Sequence, residues 1–337
     1  MKEHEIRPKD LLNRYVELSA LDADIFFAEA ATFFIACVGC GGIKATPQFK
    51  KNRFAYATCD DCGTLFQCPR ASMQVFEKFY RDSTSSRYWA EVFYPAVADV
   101  RREKIFRPRV DRLGALCLER KLTVNRLIDV GAGYGVFLDE WRAKFPATQM
   151  IAVEPSASLA SECRRKGFEV IEDVVENVTV GKASADLVTC FEVLEHAHDP
   201  LAFIQSLSNL AKPGGYVFIS TLGVDGFDIQ ILWEKSQQIS PPHHINFLSI
   251  KGFEKLFERA GLVDISVITP GQLDVDIIRN AVKADPTLLE GQQFLTNLLK
   301  DERKAEAFQM FLAQQKLSSH VWVIGRKQLT VDGVSDK

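Results

Sequence analysis

Leu127-Ile-Asp-Val-Gly-Ala-Gly-Tyr-Gly135 is an apolar run that ends in an acid and then in glycines at alternate positions. Nineteen residues after Gly135, Ile151-Ala-Val-Glu-Pro155 closes a second apolar run on another acid, Glu154. The pattern reads as strand, tight turn, helix, strand, the opening crossover of a parallel sheet. The glycines let a ligand approach the backbone closely, and a carboxylate ending the second strand can grip a ribose diol. A dinucleotide site would want a third small residue at position 136, where Val136 stands, which argues against hydride transfer.

Around this stretch, strand and helix patterns alternate as in a βαβ series. Strands are expected at Arg126–Val130, Met150–Glu154, Phe168–Ile171, Ala185–Cys190, Gly215–Ser220, Val263–Thr269 and Val321–Gly325. Helical segments are expected near 135–145, 157–166 and 199–211, and at Ile250–Ala260, which Gly261 terminates. The roughly 50 residues between the last two strands read as helix around Val275–Val282, Leu288–Lys300 and Glu302–Gln314. They form an insert at about 273–316, suited to a lid or a partner surface. Upstream, residues 1–36 look helical, 37–70 are rich in Cys, Gly and Lys, and 71–125 read mostly as a helical linker. The sheet domain is expected over 126–327, with a tail at 328–337.

Gly131-x-Gly133-x-Gly135 resembles the first motif of class I S-adenosylmethionine (SAM) methyltransferases. Phe191-Glu-Val-Leu-Glu-His-Ala-His-Asp-Pro200 is similar to the fourth-strand signature of the ubiquinone-biosynthesis and sugar-methylating branch of that superfamily. Leu210-Ala-Lys-Pro-Gly-Gly-Tyr-Val-Phe-Ile219 resembles its fifth-strand motif, so the likeness covers roughly residues 105–270. It implies an α/β, Rossmann-like, seven-stranded sheet whose last two strands form an antiparallel pair, and SAM as cofactor. Glu154 would accept from the ribose hydroxyls. Asp129 and the Gly131 backbone would hold the methionyl ammonium, with Ala132, Gly133, Tyr134 and Gly135 completing the turn. Arg109, in Arg107-Pro-Arg109, would meet the methionyl carboxylate; Asp173 and Phe191 are the candidates for the adenine slot, and Glu192 would line the pocket. Glu195 and His196 read as structural, holding the following helix and the pocket wall.

Methyl transfer to a hydroxyl, or to a carbon beside a ketone, needs a base. Ser240-Pro-Pro-His-His-Ile-Asn-Phe247 resembles the P-x-H-x-x-x-F segment of small-molecule methyltransferases. Either His243 or His244 would be that base, since an imidazole suits proton transfer near neutrality. Ser83–Trp89 and Phe93-Tyr94-Pro95 add aromatic faces that suit a sugar ring or a base, or a helical core.

Cys37-Val-Gly-Cys40 and Cys59-Asp-Asp-Cys62 are separated by 18 residues, the spacing of a tetrahedral zinc site. Each pair is followed by glycine, Gly41 or Gly63, which suits the turn that aims backbone N–H groups at thiolates. Together with a short intervening hairpin this resembles a small N-terminal zinc ribbon, with Zn2+ in a structural role because four thiolates leave no open position. Cys68 stands outside the pairing, and Cys117, Cys163 and Cys190 read as small buried hydrophobes. A ribbon joined to such a domain resembles methyltransferases of bacterial nucleotide-sugar and polysaccharide pathways.

A formal net charge of −3 gives no global reason to bind nucleic acid. No apolar run reaches membrane-spanning length and no signal peptide is legible, so a cytoplasmic location is expected. The expected partner, as the resemblance implies, is a small sugar-containing acceptor; a homo-oligomer is left open. The competing readings are an RNA methyltransferase using the ribbon for recognition, and a non-catalytic SAM-binding scaffold.

Overall fold

A computed structural model describes residues 1–179 and 181–329; Val180 and residues 330–337, most of the expected tail, lie outside them. Among the described residues thirteen strands run in chain order: β1 Thr32–Phe33, β2 Ala45–Lys51, β3 Phe54–Cys59, β4 Leu65–Gln67, β5 Arg70–Ala71, β6 Arg126–Val130, β7 Gln149–Val153, β8 Glu169–Ile171, β9 Ala185–Phe191, β10 Ala211–Leu222, β11 Asn246–Phe247, β12 Leu262–Ile268 and β13 His320–Lys327. Seven of them form one sheet in the order β12-β13-β10-β9-β6-β7-β8. β13 runs antiparallel to both its neighbours, and the rest of the ladder from β10 to β8 is parallel.

The central strands are apolar on both sides because helices cover both faces. Leu127, Ala152, Leu187 and Phe218 enter one core with the helices Arg107–Glu119 and Val136–Lys144. Their neighbours Ile128, Ile151, Val188 and Ile219 enter the other, with the helices Pro200–Leu210 and Ile250–Arg259. The chain builds outward from β6 to β8 in one direction and from β9 through β10 in the other. The crevice where that order reverses lies beyond the carboxyl ends of β6 and β9, the place such sheets bind ligands.

The seven expected strands are those of the sheet. One local difference lies at the start of the fifth strand, expected from Gly215: β10 already pairs at Ala211 and bulges before Tyr216. The expected helix 288–300 is broken, with a short 3-10 turn at Pro286–Leu289 and the helix proper at Gln293–Lys300. Between them Gly291 adopts φ +77°, which ends one turn before the next begins. The segment to residue 36 is helical through Glu3–Ile6 and Lys9–Phe27; Thr32–Phe33 then pairs with β5.

The cysteine-rich segment folds as the hairpin β2–β3 plus β4, and β11 adds a fourth strand, giving the order β11-β4-β3-β2. Since β11 belongs to the Pro-Pro-His-His tract, this module is stitched to the large domain. Cys37, Val38, Cys59, Cys62 and Phe66 share a buried cluster with Phe253, Leu256 and Phe257. Residues 84–119 are helical throughout, with π turns at Trp89–Phe93 and Arg102–Phe106, each followed by a proline, Pro95 or Pro108, that cannot donate to the regular ladder. Among the described residues no helix is long and apolar enough to cross a membrane.

Candidate active site

A cleft of about 2190 Å³ opens at the sheet's switch point. It exceeds the about 300–1,000 Å³ usual for one small ligand, so it has room for a cofactor and an acceptor together. At its floor, Gly131, Gly133 and Gly135 all adopt positive φ, +71°, +55° and +67°. A Cβ on Gly131 would meet Val193 at 2.8 Å and one on Gly135 would meet Cys163 at 3.1 Å, so the turn excludes side chains for space as well as for conformation.

Glu154 is 5% exposed and faces this turn. Its Oε2 accepts from Gly133 N–H at 2.8 Å and its Oε1 from Ser156 N–H at 2.9 Å. Burial raises its pKa, and the two N–H donors work against that rise. Asp129, 1% exposed, accepts from Thr189 Oγ1 at 2.7 Å, and burial pushes its pKa up to about 7. Tyr134 donates through its hydroxyl to Ala90 O and stacks on Tyr94 at 4.8 Å, which ties the turn to the helix above it. Ala132 lines the same floor.

Glu192 holds φ +56°, an uncommon conformation for a side chain other than glycine. Its Oε1 accepts from Arg109 Nη2 at 2.9 Å and Ser220 Oγ at 2.6 Å, and lies 3.0 Å from His320 Nε2. Burial alone would raise its pKa; the charge and hydrogen bond of His320, with Arg109, outweigh it and hold the carboxylate well below the usual range. Arg109 is 4% exposed, and its guanidinium also lies 4.5 Å from the centre of the Phe191 ring. Phe191 in turn packs on Phe137 at 4.5 Å. Arg109 thus stands at the cleft with its charge already matched by Glu192. Asp173 sits at the exposed rim, accepting from Val174 N–H at 2.8 Å and Asn177 Nδ2 at 2.9 Å.

The far wall is built of imidazoles. All six histidines of the chain, His4, His196, His198, His243, His244 and His320, line the cleft. His243 is 4% exposed, its ring packed against Tyr15 and Phe79 at 5.2 and 4.8 Å and its Nε2 2.8 Å from Ser85 Oγ. His244 Nδ1 lies 2.6 Å from Gln238 O. A carbonyl only accepts, so that nitrogen carries the proton and Nε2 is left as the acceptor. Burial pulls His244 down to about 4 and His196 to about 3, so both rings are neutral near pH 7. Burial, helped by the Glu192 charge, pushes Glu195 up to about 8. Ligand atoms of Glu195, His196 and His244 lie within 4.8 Å of one another, a group that could hold a cation.

Sequence reasoning found the floor of the cleft but missed this convergence, and it missed Arg7 and Arg101, which also reach the cleft. Arg101-Arg102-Glu103-Lys104 reads as a solvated charge run, and nothing local marks one of its members as facing inward.

Away from the cleft, Cys37, Cys40, Cys59 and Cys62 bring their sulfurs within 4.8 Å of one another. Cys37 and Cys62 are 3.6 Å apart and Cys40 and Cys59 3.5 Å. A disulfide needs about 2.05 Å; a tetrahedron with Zn–S bonds of about 2.3 Å has edges of about 3.8 Å. Gly41 and Gly63 take φ +82° and +80°, and Gly42 N–H donates to Cys40 Sγ at 3.4 Å. Cys68 is outside the cluster, with Sγ directed at Ile35 O at 3.8 Å. The arrangement is compatible with a zinc ribbon.

Residues 100–267 match the family described as a methyltransferase domain. The ubiquinone biosynthesis O-methyltransferase of Xanthomonas oryzae pv. oryzae is 36% identical over 118 residues, 33% of this chain and 48% of that protein. That of Actinobacillus pleuropneumoniae is 37% identical over 108 residues, 29% and 46% respectively. The chain spans about half the length of the curated relatives it matches. Among solved structures, a SAM-dependent methyltransferase of Thermotoga maritima covers 71% of this chain and 99% of its own at 18% identity and TM-score 0.43. The plantazolicin methyltransferase BpumL in complex with SAH (S-adenosylhomocysteine) covers 75% and 94% at 14% identity and TM-score 0.49. Residues 100–267 thus match a methyltransferase domain, and the mixed seven-stranded sheet that carries the glycine turn and the buried acid pair is of the type found in class I methyltransferases.

Proposed function

We propose that the chain moves the methyl group of SAM to a hydroxyl of a small, carbohydrate-containing acceptor, with nucleotide sugars as the first class to test. The observation that carries this reading is the single cleft that joins the glycine turn to a wall of neutral imidazoles and tyrosines. Bound SAM supplies an electrophilic methyl group. Glu154 accepts from the ribose hydroxyls while its backbone donors keep it oriented, and Asp129 takes the methionyl ammonium. His244 receives the acceptor's proton at Nε2, since Gln238 O fixes the proton on Nδ1. His243 is bound to Ser85 and enclosed by aromatic rings, which makes it a wall that orients rather than a base. Tyr15, Tyr80 and Trp89 offer ring faces to a sugar. Relatives named O-methyltransferases favour oxygen over nitrogen or carbon as the methylated atom.

The four cysteines hold Zn2+ as a folding element, in this reading, since none of them lines the cleft. An RNA acceptor has no comparable support, because the chain carries 41 basic against 44 acidic residues.

The test is SAH release from SAM with a panel of nucleotide sugars and free sugars. Release that requires one of them, and that falls on His244→Ala by about 10²–10⁴-fold while His243→Ala retains more activity, supports the reading. Tight SAH binding with no release for any hydroxyl acceptor would replace it with the scaffold reading.

A further inference from the structure

Not every cation of the cleft has an acid paired with it. Arg109 is neutralised by Glu192. Arg7 and Arg101 line the same cleft, and among the described residues neither forms an ion pair or a side-chain hydrogen bond to protein. Arg101 Nε is buried without a partner, and its guanidinium lies over the Tyr94 ring, 5.6 Å from the centroid. Burying a guanidinium nitrogen without an acceptor is costly unless a ligand completes it. Burial lowers Arg101 to about 10, and the helix Glu3–Ile6 that leads into Arg7 packs against the helix Tyr94–Arg101 that ends in Arg101. The charge of Arg7 also bears on His244. Arg7 and Arg101 thus line the cleft that also holds the glycine turn and the imidazole wall, with room for an acceptor beside the cofactor.

The position of Arg7 is built, not accidental. It follows the short helix Glu3–Ile6, which is held from both sides. Glu3 N–H donates to Asp276 Oδ2 at 2.7 Å and Asn280 Nδ2 donates to Glu3 Oε2 at 2.9 Å, while Glu5 pairs with Lys104 on the opposite side. Two unmatched cations call for a group with about two negative charges, which a phosphate carries at neutral pH and a single carboxylate does not. Guanidinium forks also match phosphate oxygens two at a time.

We propose that Arg7 and Arg101 form an oxyanion site for a phosphate or diphosphate group of the acceptor. This rests on the methyltransferase reading of the cleft. The same chemistry could be met by the methionyl carboxylate of SAM, and the experiment separates the two sources.

Calorimetry on the full chain would first titrate SAH, then inorganic pyrophosphate into the SAH-saturated protein, for wild type, Arg7→Gln, Arg101→Gln and Arg101→Lys. The expected result is SAH affinity within about 2-fold of wild type throughout, and pyrophosphate affinity reduced about 10-fold or more by each glutamine variant, corresponding to the loss of one charged hydrogen-bonding partner. Arg101→Lys, which keeps stem and charge, should recover part of that loss and shows that the effect is not misfolding. No pyrophosphate binding to the wild-type SAH complex overturns the proposal, as does binding that neither glutamine variant weakens. A loss of SAH affinity in both variants with pyrophosphate unaffected reassigns the site to the cofactor. Failure of wild type to bind SAH at all would instead overturn the methyltransferase reading beneath it.

Discussion

Glu154 does two jobs with one carboxylate: it accepts the Gly133 and Ser156 N–H groups that shape the turn, and it leaves lone pairs toward the cleft. Glu154→Gln should weaken SAH binding about 10–100-fold, the loss expected for hydrogen bonds to a charged acceptor, measured by calorimetry against an unchanged melting temperature. Asp129 gives a sharper signature. Its pKa of about 7 in the free protein means that it is largely protonated at pH 6. A bound ammonium requires the carboxylate form, so SAH binding at pH 6 should release up to about one proton, and release should fade above pH 8. Titrations in buffers of different ionisation enthalpy would read it, and Asp129→Asn should abolish it. These two acids and the glycines were legible because a strand end and a tight turn write themselves into a few consecutive residues. Arg7, Arg101 and His320 were not, since the cleft gathers them from segments far apart along the chain, and no local pattern encodes that meeting.

The cysteine module shows the same boundary between local and distant information. The two C-x2-C turns, their glycines and the hairpin between them follow from spacing alone. The strand β11 does not, because two residues after Pro-Pro-His-His read as loop; only pairing with β4 makes them a strand. That pairing gives the module a mechanical role. Phe247 continues from His244 within three residues, so the imidazole wall hangs from the sheet that the cysteines close. Cys59→Ser should therefore release zinc, counted by elemental analysis, and should also lower turnover, although Cys59 lies outside the cleft. A variant that loses metal and keeps full activity would break the link between the two. Arg70 makes the same connection by another route, since it donates to His198 O at 2.7 Å and to Asn246 Oδ1 at 2.7 Å.

Across the molecule, buried ionisable groups set how stability varies with pH. His196, His243 and His244 are all lowered from 6.5 by burial, two of them to about 3 and about 4. Unfolding frees them to take up protons below pH 6.5, so this contribution to stability is lost as pH falls through 6.5 toward 4. Asp129 and Glu195 act in the opposite sense. Raised to about 7 and about 8, they favour the fold at low pH and lose that contribution as pH rises through those values. The melting temperature should therefore peak near pH 6.5 and fall on either side, and Glu195→Gln should flatten the alkaline limb in a scan from pH 5 to pH 9. The sheet that carries these groups was readable from seven apolar runs and their turns. The packing of the N-terminal helix and the insert against one another was not, since amphipathic patterns name a buried face and leave its neighbour unnamed.

Lys2 reaches Glu302 at 3.0 Å and Asp276 at 3.6 Å, and Arg279 also pairs with Glu302, all near solvent. Such pairs are each worth about 0–1 kcal/mol and weaken as counter-ions accumulate. The first residues of the chain thus act as a latch whose strength the medium sets: concentrated salt should loosen the mouth of the reaction chamber, quickening exchange of its contents while the chemistry inside stays the same.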